Sequence, residues 1–247
     1  VLKKIKLPFA SGLEVEFSDR VKGVEQIFEW AESGTWRPIV VFGPEGCGKT
    51  SLLLQAVEIL KEQGFSVVYF NPLRRRFETE VGVESVKQRI LKHLKQVSTE
   101  HEFANLIWLV IDVALEALRH GEKRLAIIID DAFQLIGVRE AAVLIKGLLE
   151  LIEHPEEKYE KIVAVAATSE GLSRTEIGRH RWADIRAMWN MSREGFEQLY
   201  KLLPDPKPSF EKVWRITGGN PGMLAKLYKA KWSVDEVIKS ITTSKDL

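Results

Sequence analysis

The sequence predicts an α/β fold: five parallel strands in one sheet, flanked by helices and followed by a small C-terminal helical lid. Three observations predict it. Short apolar runs alternate with helical spacings as far as residue 191. A glycine-rich segment follows the first apolar run directly, and from residue 192 onward only short helical patterns remain. A chain of 247 residues that is 45% hydrophobic can bury a core of that size, either alone or with a small appendage. The expected division is an α/β core at 1–191 and a lid at 192–247.

The elements follow in order. Val21, Val24, Ile27, Phe28 and Ala31 repeat at helical spacing and stop at Gly34. Ile39 to Phe42 reads as a first strand, and an amphipathic helix runs from about Lys49 to Gln63, ended by Gly64. Val67 to Phe70 reads as a second strand, stopped by Asn71-Pro72. Two helices are expected next, one over about Glu84 to Val97. The other is opened by the capping box Thr99-x-x-Glu102 and is apolar from Phe103 to Leu118. Leu125 to Asp130 forms a third strand, apolar on both faces, followed by a helix over about Val138 to Glu153. Ile162 to Thr168 is the fourth strand, and Ile185 to Trp189, after a polar connection, the fifth. The lid reads as helices at Ser192–Leu203, Ser209–Thr217 and Pro221–Lys231, with a last one capped by Ser233-x-x-Glu236. Trp182, Trp189, Trp214 and Trp232 are expected to pack the joint between core and lid.

Charge and composition narrow the function classes. Lys and Arg number 36 against 35 for Asp and Glu, so no global field points to nucleic acid or to a membrane surface. No apolar run is long enough to span a bilayer and no signal-peptide pattern is present, so the expected location is the cytoplasm. The single cysteine, Cys47, excludes an internal disulfide. His93, His101, His120, His154 and His180 lack paired ligand spacing, and no metal other than a nucleotide's own is expected. The excess of charged residues over Asn, Gln, Cys and Met resembles proteins of hot-living organisms.

Residues 43 to 50 read Gly-Pro-Glu-Gly-Cys-Gly-Lys-Thr, the G-x-x-x-x-G-K-[ST] pattern, placed between a strand and a helix. Gly43, Gly46 and Gly48 let the backbone wrap phosphates with its N–H groups. The helix beginning there, through Ser51, adds further donors and the positive end of its dipole. Lys49 is the candidate partner of the β and γ phosphates and Thr50 a candidate Mg²⁺ ligand, with Pro44, Glu45 and Cys47 completing the cradle. This places the predicted sheet in the P-loop NTPase class. The third strand then delivers Asp130 and Asp131 to its C-terminal end, the edge where such sheets bind ligands. Asp130 is the candidate to hold Mg²⁺ through water, and Asp131 to polarise an attacking water. Thr168 and Ser169 end the fourth strand as candidates to sense the γ-phosphate, or simply as its polar cap. Arg174, Arg179, Arg181 and Arg186 follow. Arg179 and Arg181 are the candidates for a guanidinium acting on the transferred phosphoryl, in the same chain or a neighbouring subunit. Arg74, Arg75 and Arg76 read either as a solvated loop or as contacts to a phosphate backbone or an acidic partner.

The P-loop, the strand ending Ile-Ile-Ile-Asp-Asp-Ala-Phe-Gln, the stretch Ile-Gly-Arg-His-Arg-Trp and Thr-Gly-Gly-Asn-Pro-Gly-Met-Leu at 217–224 together resemble the archaeal ATPase family of P-loop proteins. That family belongs to the signal-transduction (STAND) ATPases related to AAA+ proteins, and the resemblance covers nearly the whole chain. It implies that Gly219 and Pro221 of the Gly-x-Pro element contact the base and sugar of ATP. It also implies that a Phe-x-x-Arg box, here Phe17 to Arg20, helps enclose the adenine. Two departures stand out: Asp131 replaces the usual Glu, which implies slow turnover, and the chain stops soon after the lid, with little room for the winged-helix domain of many relatives. Where AAA+ machines place a lid arginine, this chain has Lys226 and Lys229. The expected activity is Mg-dependent ATP hydrolysis that drives a conformational switch. Self-association or a protein partner is left open. The alternatives are a DNA-associated ATPase of the replication-initiator or helicase-loader kind, and a nucleotide-gated scaffold with little turnover.

Overall fold

Runs of β-branched residues become strands where both faces can be covered, and the middle of this chain supplies them. The computed structural model describes residues 3–79, 88, 90, 92, 99–155, 157–169 and 171–244. An N-terminal hairpin, β1 (Lys6–Ala10) with β2 (Leu13–Glu16), stands apart from the main sheet. Helix α1 (Val21–Ser33) leads to β3 (Ile39–Phe42), the glycine loop and α2 (Lys49–Glu62). Next come β4 (Ser66–Asn71), β5 (Arg76–Thr79), α3 (Glu100–Arg119), β6 (Arg124–Asp130), α4 (Phe133–Glu153), β7 (Lys161–Thr168), α5 (Gly171–His180) and β8 (Asp184–Ala187). The chain closes with α6 (Arg193–Lys201), α7 (Phe210–Thr217), α8 (Pro221–Lys229) and α9 (Val234–Ser244). The helix expected at about 84–97 lies, apart from residues 88, 90 and 92, outside the described residues.

The main sheet has six strands in the order β5-β4-β6-β7-β3-β8. The five expected strands are parallel to one another. The sixth, β5, pairs antiparallel with β4 through Phe70↔Phe77 and forms an edge that was not expected. Strand β7 lies between β3 and β6, so the glycine loop and the two carboxylates leave the same sheet edge one strand apart. Side-chain alternation along β6 serves two layers. Ile127 and Ile129 join the cluster under α3 and α4, while Ala126 and Ile128 join the one under α1 and α2.

The capping box is formed: the Glu102 N–H donates to Thr99 Oγ1 at 3.3 Å and the Thr99 N–H to Glu102 Oε2 at 3.0 Å. Helix α4 is broken at Gly137, whose φ of 74° only glycine adopts freely, and the regular part resumes at residue 138 where the periodicity begins.

A third apolar cluster gathers Phe196, Leu199, Leu203, Val213, Leu224 and Leu227 of the lid helices. It also takes in Val15 and, at its margin, Phe9 of the hairpin, so the N-terminal hairpin packs with the lid although it is far from it in sequence. The tryptophans do not all pack the joint. Trp214 and Trp232 lie in the lid cluster. Trp182, however, packs against the core layer and stacks on His180 at 4.1 Å, and Trp189 is 65% exposed.

Candidate functional site

The glycine loop joins β3 to α2 beside a cavity. Five successive carbonyls are taken. Lys49 Nζ donates to Gly43 O at 2.8 Å and Pro44 O at 3.0 Å. Asn220 Nδ2 donates to Glu45 O at 3.0 Å, the Gly222 N–H to Gly46 O at 2.9 Å, and an Arg20 guanidinium nitrogen to Cys47 O. Apart from the Gly43–Pro44 unit, which has no N–H, each peptide plane so held has its N–H end set by the same bond, which organises the loop before any ligand arrives. Gly43 of the loop, and Gly222 that faces it, are required by close approach. A Cβ on Gly43 would strike Met188 O, and one on Gly222 would fall 2.7 Å from Gly46 Cα, where loop and lid backbones cross.

The carboxylates are treated differently although adjacent. Asp130 is fully buried. Its Oδ2 accepts from Tyr69 Oη at 3.0 Å and Asn71 Nδ2 at 2.8 Å, while its Oδ1, also buried, has no partner among the described residues. An unpartnered buried carboxylate oxygen is suited to a cation or a cation-bound water. Burial and the neighbouring Asp130 push the Tyr69 phenol far above its ordinary range, so it stays a donor. Asp131 has a left-handed backbone, φ 51°, and its N–H donates to Ala167 O at 3.1 Å. That conformation costs a non-glycine residue about 1–2 kcal/mol, and it turns the side chain onto the cavity wall. Burial, reinforced by Asp130, holds the Asp131 carboxyl above the usual carboxylate range. Lys49, Arg74 and a hydrogen bond from Thr50 pull the other way.

The cavity itself encloses about 590 Å³. It is lined by Glu45, Gly46, Gly48, Lys49, Thr50 and Ser51 of the glycine loop and α2. Asp131, Gln134, Ser169, Leu73 and Arg74 line it too, with Pro221 and Gly222 of the C-terminal helices and Pro8 and Phe9 of the hairpin. Glycine loop, hydroxyl and carboxylate therefore meet on one cavity at the carboxyl edge of the parallel strands, where open α/β sheets take ligands. A model of an ATPase domain predominantly from Archaea matches residues 17–227, a span that includes all of these catalytic-type groups and the first part of α8. The chain belongs to that family. Two solved structures share its fold at 14% identity. One is the ORC2 protein of Aeropyrum pernix in ADPNP-ADP complexes, with a TM-score of 0.55 over 95% of this chain and 71% of that one. The other is Cdc6p of Pyrobaculum aerophilum, with a TM-score of 0.56 over 91% of this chain and 65% of that one. At that identity the likeness carries the fold and nothing finer. No curated protein matches the sequence.

In this archaeal ATPase domain the remaining expected site residues fall into three groups. A side pocket of about 90 Å³ is lined by Phe17, Arg20, Cys47, Gly48, Ser51 and Pro221 together with Met191 and Leu199, an apolar slot beside the loop. Within it the Arg20 guanidinium is already engaged, donating to Trp189 O at 2.9 Å and Asn190 O at 3.4 Å as well as to Cys47 O. Arg20 thus braces the core-to-lid linker against the loop as well as bordering the slot.

Gly219 lines neither space. Its carbonyl accepts from the Met191 N–H at 2.9 Å, and of the Gly-x-Pro element only Pro221 reaches both pockets. Thr168 is buried at the end of β7 and off the cavity wall, where Ser169 stands instead.

Arg179 and Arg181 are not brought to the site of their own chain. Helix α5 runs back to the opposite sheet edge, where the Asp184 N–H meets Pro38 O at 3.0 Å ahead of β3. The length of β3, roughly 13 Å at 3.3 Å per residue, separates them from the loop. Arg179 is exposed and pairs with Glu176 at 3.2 Å. The side chain of Arg174 lies outside the described residues.

Sequence reasoning passed over Tyr69, Gln134 and Phe9, and saw Asn71 only as a strand stop; Arg74, read as a solvated loop residue or a phosphate contact, is exposed in a turn and also lines the cavity. Only Asn71 carried a signal, as a polar residue ending an apolar strand.

Asn220 is the latch between lid and loop. Besides Glu45 O, its Nδ2 donates to Asn190 Oδ1 at 2.9 Å, and its own Oδ1 caps α8 by accepting from the Met223 N–H at 2.9 Å. Asn220→Ala removes the cap and the donor to the Glu45 carbonyl. It is expected to lower folding stability by about 1–3 kcal/mol, read as a fall in the urea midpoint at unchanged slope.

Proposed function

We propose that the protein is a Mg-dependent ATP-hydrolysing switch. In this reading the core at 1–191 and the lid at 192–247 close on ATP and reopen after its cleavage or release. The observation that carries this reading is the meeting of Lys49, Thr50 and Asp131 on one cavity, with Asp130 and its unpartnered oxygen directly behind. The glycine-loop amides and Lys49 bind and orient the triphosphate. Asp131 holds the attacking water, Ser169 borders it, and Phe17, Met191 and Pro221 offer an apolar slot for the base. In the reaction the water oxygen bonds to the γ-phosphorus as the bond to the β–γ bridging oxygen breaks. ADP leaves with that electron pair, and the water's proton passes by way of Asp131 to product or solvent. Magnesium, held by Thr50 and by Asp130 through water, supplies neutralising charge to the β and γ phosphates when bound. The deciding experiment is calorimetric titration with ATP, with and without magnesium, set beside phosphate release. Uptake that needs magnesium and is followed by release supports the proposal, and no uptake sinks it. Uptake without release would instead identify the nucleotide-gated scaffold.

A DNA-associated role would need Arg74, Arg75 and Arg76 aligned with other basic residues in one groove. Arg74 lines the cavity, whereas Arg76 pairs with Glu78 on the β5 edge and lies over the Tyr69 ring at 5.6 Å. Such a role would have to use another surface. The lid offers Lys226, Lys229 and Lys231 around a shallow hollow of about 440 Å³. The expected result is turnover unchanged by DNA, and stimulation that collapses with added salt would favour the DNA reading. No helix among the described residues is long and apolar enough to cross a membrane, which agrees with a proposed cytoplasmic setting. A neighbouring copy supplying Arg179 or Arg181 belongs to the same proposal. Sedimentation with ATP is expected to show assembly if either acts across subunits.

A further inference from the structure

The turn between β4 and β5 brings the exposed Arg74 to the cavity wall near Asp131. Asn71 Oδ1 accepts from the Arg74 N–H at 2.8 Å, and Pro72 O accepts from the Arg75 N–H at 3.1 Å, so the backbone on either side of Arg74 is pinned. The same Asn71 donates through Nδ2 to Asp130 Oδ2. The position of Arg74 is therefore tied to the carboxylate at the end of the neighbouring strand. Leu73 and Arg74, both exposed, line the same 590 Å³ cavity as Lys49 and Thr50.

The two arginines that follow Arg74 are placed differently. Arg75 lies outside the cavity lining, and Arg76 is neutralised by Glu78. No ion pair engages the Arg74 guanidinium among the described residues. It lies close enough to Asp131 for its charge to pull that carboxyl down against burial.

An arginine on a pinned turn, sharing a cavity with the glycine loop and beside the acid that would hold water, has one evident complement: the outermost phosphate of a bound triphosphate. We propose that Arg74 is a same-chain arginine for the terminal phosphoryl group, distinguishing ATP from ADP and stabilising charge as that group is transferred. It replaces the role that Arg179 and Arg181 cannot play from the far sheet edge of the same chain. It adds no new bond changes: the guanidinium donates hydrogen bonds to γ-phosphoryl oxygens while water adds and ADP departs.

This inference rests on the proposed ATPase reading, and the experiment separates the two. ATP and ADP affinities and single-turnover rates are measured in the presence of magnesium for the wild type, Arg74→Ala, Arg74→Lys, Arg75→Ala and Lys49→Ala. Arg74→Ala is expected to weaken ATP binding about tenfold with little change for ADP. Its cleavage rate should fall by about 10³-fold, partly restored by added guanidinium ion. Arg74→Lys should keep some ATP preference with slower cleavage, because the fork geometry is gone, and Arg75→Ala should match the wild type. An unchanged ATP-to-ADP ratio and unchanged cleavage in Arg74→Ala, with Lys49→Ala impaired, would overturn the role of Arg74 and leave the ATPase reading standing. A wild type that takes up no ATP would overturn both. Thermal melting of each variant identifies a folding defect, in which case Arg74→Lys and the guanidinium response decide.

Discussion

Lys49→Ala is expected to reduce ATP turnover by about 10³-fold, the scale seen when a positioned donor to developing charge is removed. In the structure the Lys49 ammonium is 5% exposed and bound to two loop carbonyls, Gly43 O and Pro44 O, so it is already held at the cavity wall. Reaching a β or γ phosphate requires a small swing from those carbonyls, and the charge it carries is the one fixed cation inside the loop. Alanine removes that charge and leaves two carbonyls facing anionic phosphates without a cation between them. ATP affinity should therefore also fall, by about ten- to a hundredfold. The check is phosphate release together with calorimetric titration. Turnover within threefold of the wild type would contradict the assignment.

Asp131→Ala is expected to keep ATP and stop cleaving it, with hydrolysis down by about 10²- to 10⁴-fold. Loss of a carboxylate next to a phosphate site removes repulsion, so affinity should hold or rise. The variant removes a partly buried charge but keeps a left-handed position that alanine tolerates no better than aspartate, so thermal melting is measured beside the assay. The pH profile follows from the direction of its shift. The working form is deprotonated, and its pKa lies above the ordinary carboxylate range. Activity is therefore present above that pKa and is lost as pH falls through it, at a higher pH than an ordinary aspartate would give. Asp131→Asn should remove this acid limb. A single-turnover profile in which the wild type and Asp131→Asn fall together at low pH would show that another group sets it.

Local signals made much of this legible. The apolar run Ile39 to Phe42, the glycines and Lys49-Thr50 are contiguous, so strand, loop and helix could be read from one short stretch. The carboxylates were legible because an apolar strand ends at them. Elements whose residues are polar were not. β5 is Arg-Phe-Glu-Thr and becomes a strand only because Phe77 can pack against Phe70 of its partner. Helix α5, Gly-Leu-Ser-Arg-Thr-Glu-Ile-Gly-Arg-His, buries Ile177 yet reads as a polar connection. The hairpin around Gly12 owes its place to the lid, which is remote in sequence. The same limit governs the site. Tyr69, Asn71 and Arg74 reach the site through strand neighbours, and Arg179 and Arg181 stand away from the cavity of their own chain because the chain reverses through α5. Strand order is not written in spacing.

The crossing of Gly46 and Gly222 has a further bearing on how the molecule behaves over time. The Glu45 carbonyl that Asn220 grips and the Gly46 N–H that would grip phosphate are opposite ends of one peptide unit, and hydrogen bonds at the two ends polarise one another. A captured anion would thus tighten the lid's hold, and a docked lid would sharpen the grip on the anion. Departure of the product would then wait on the lid's detachment, giving long dwell times and a clock set by Asn220 and Gly222.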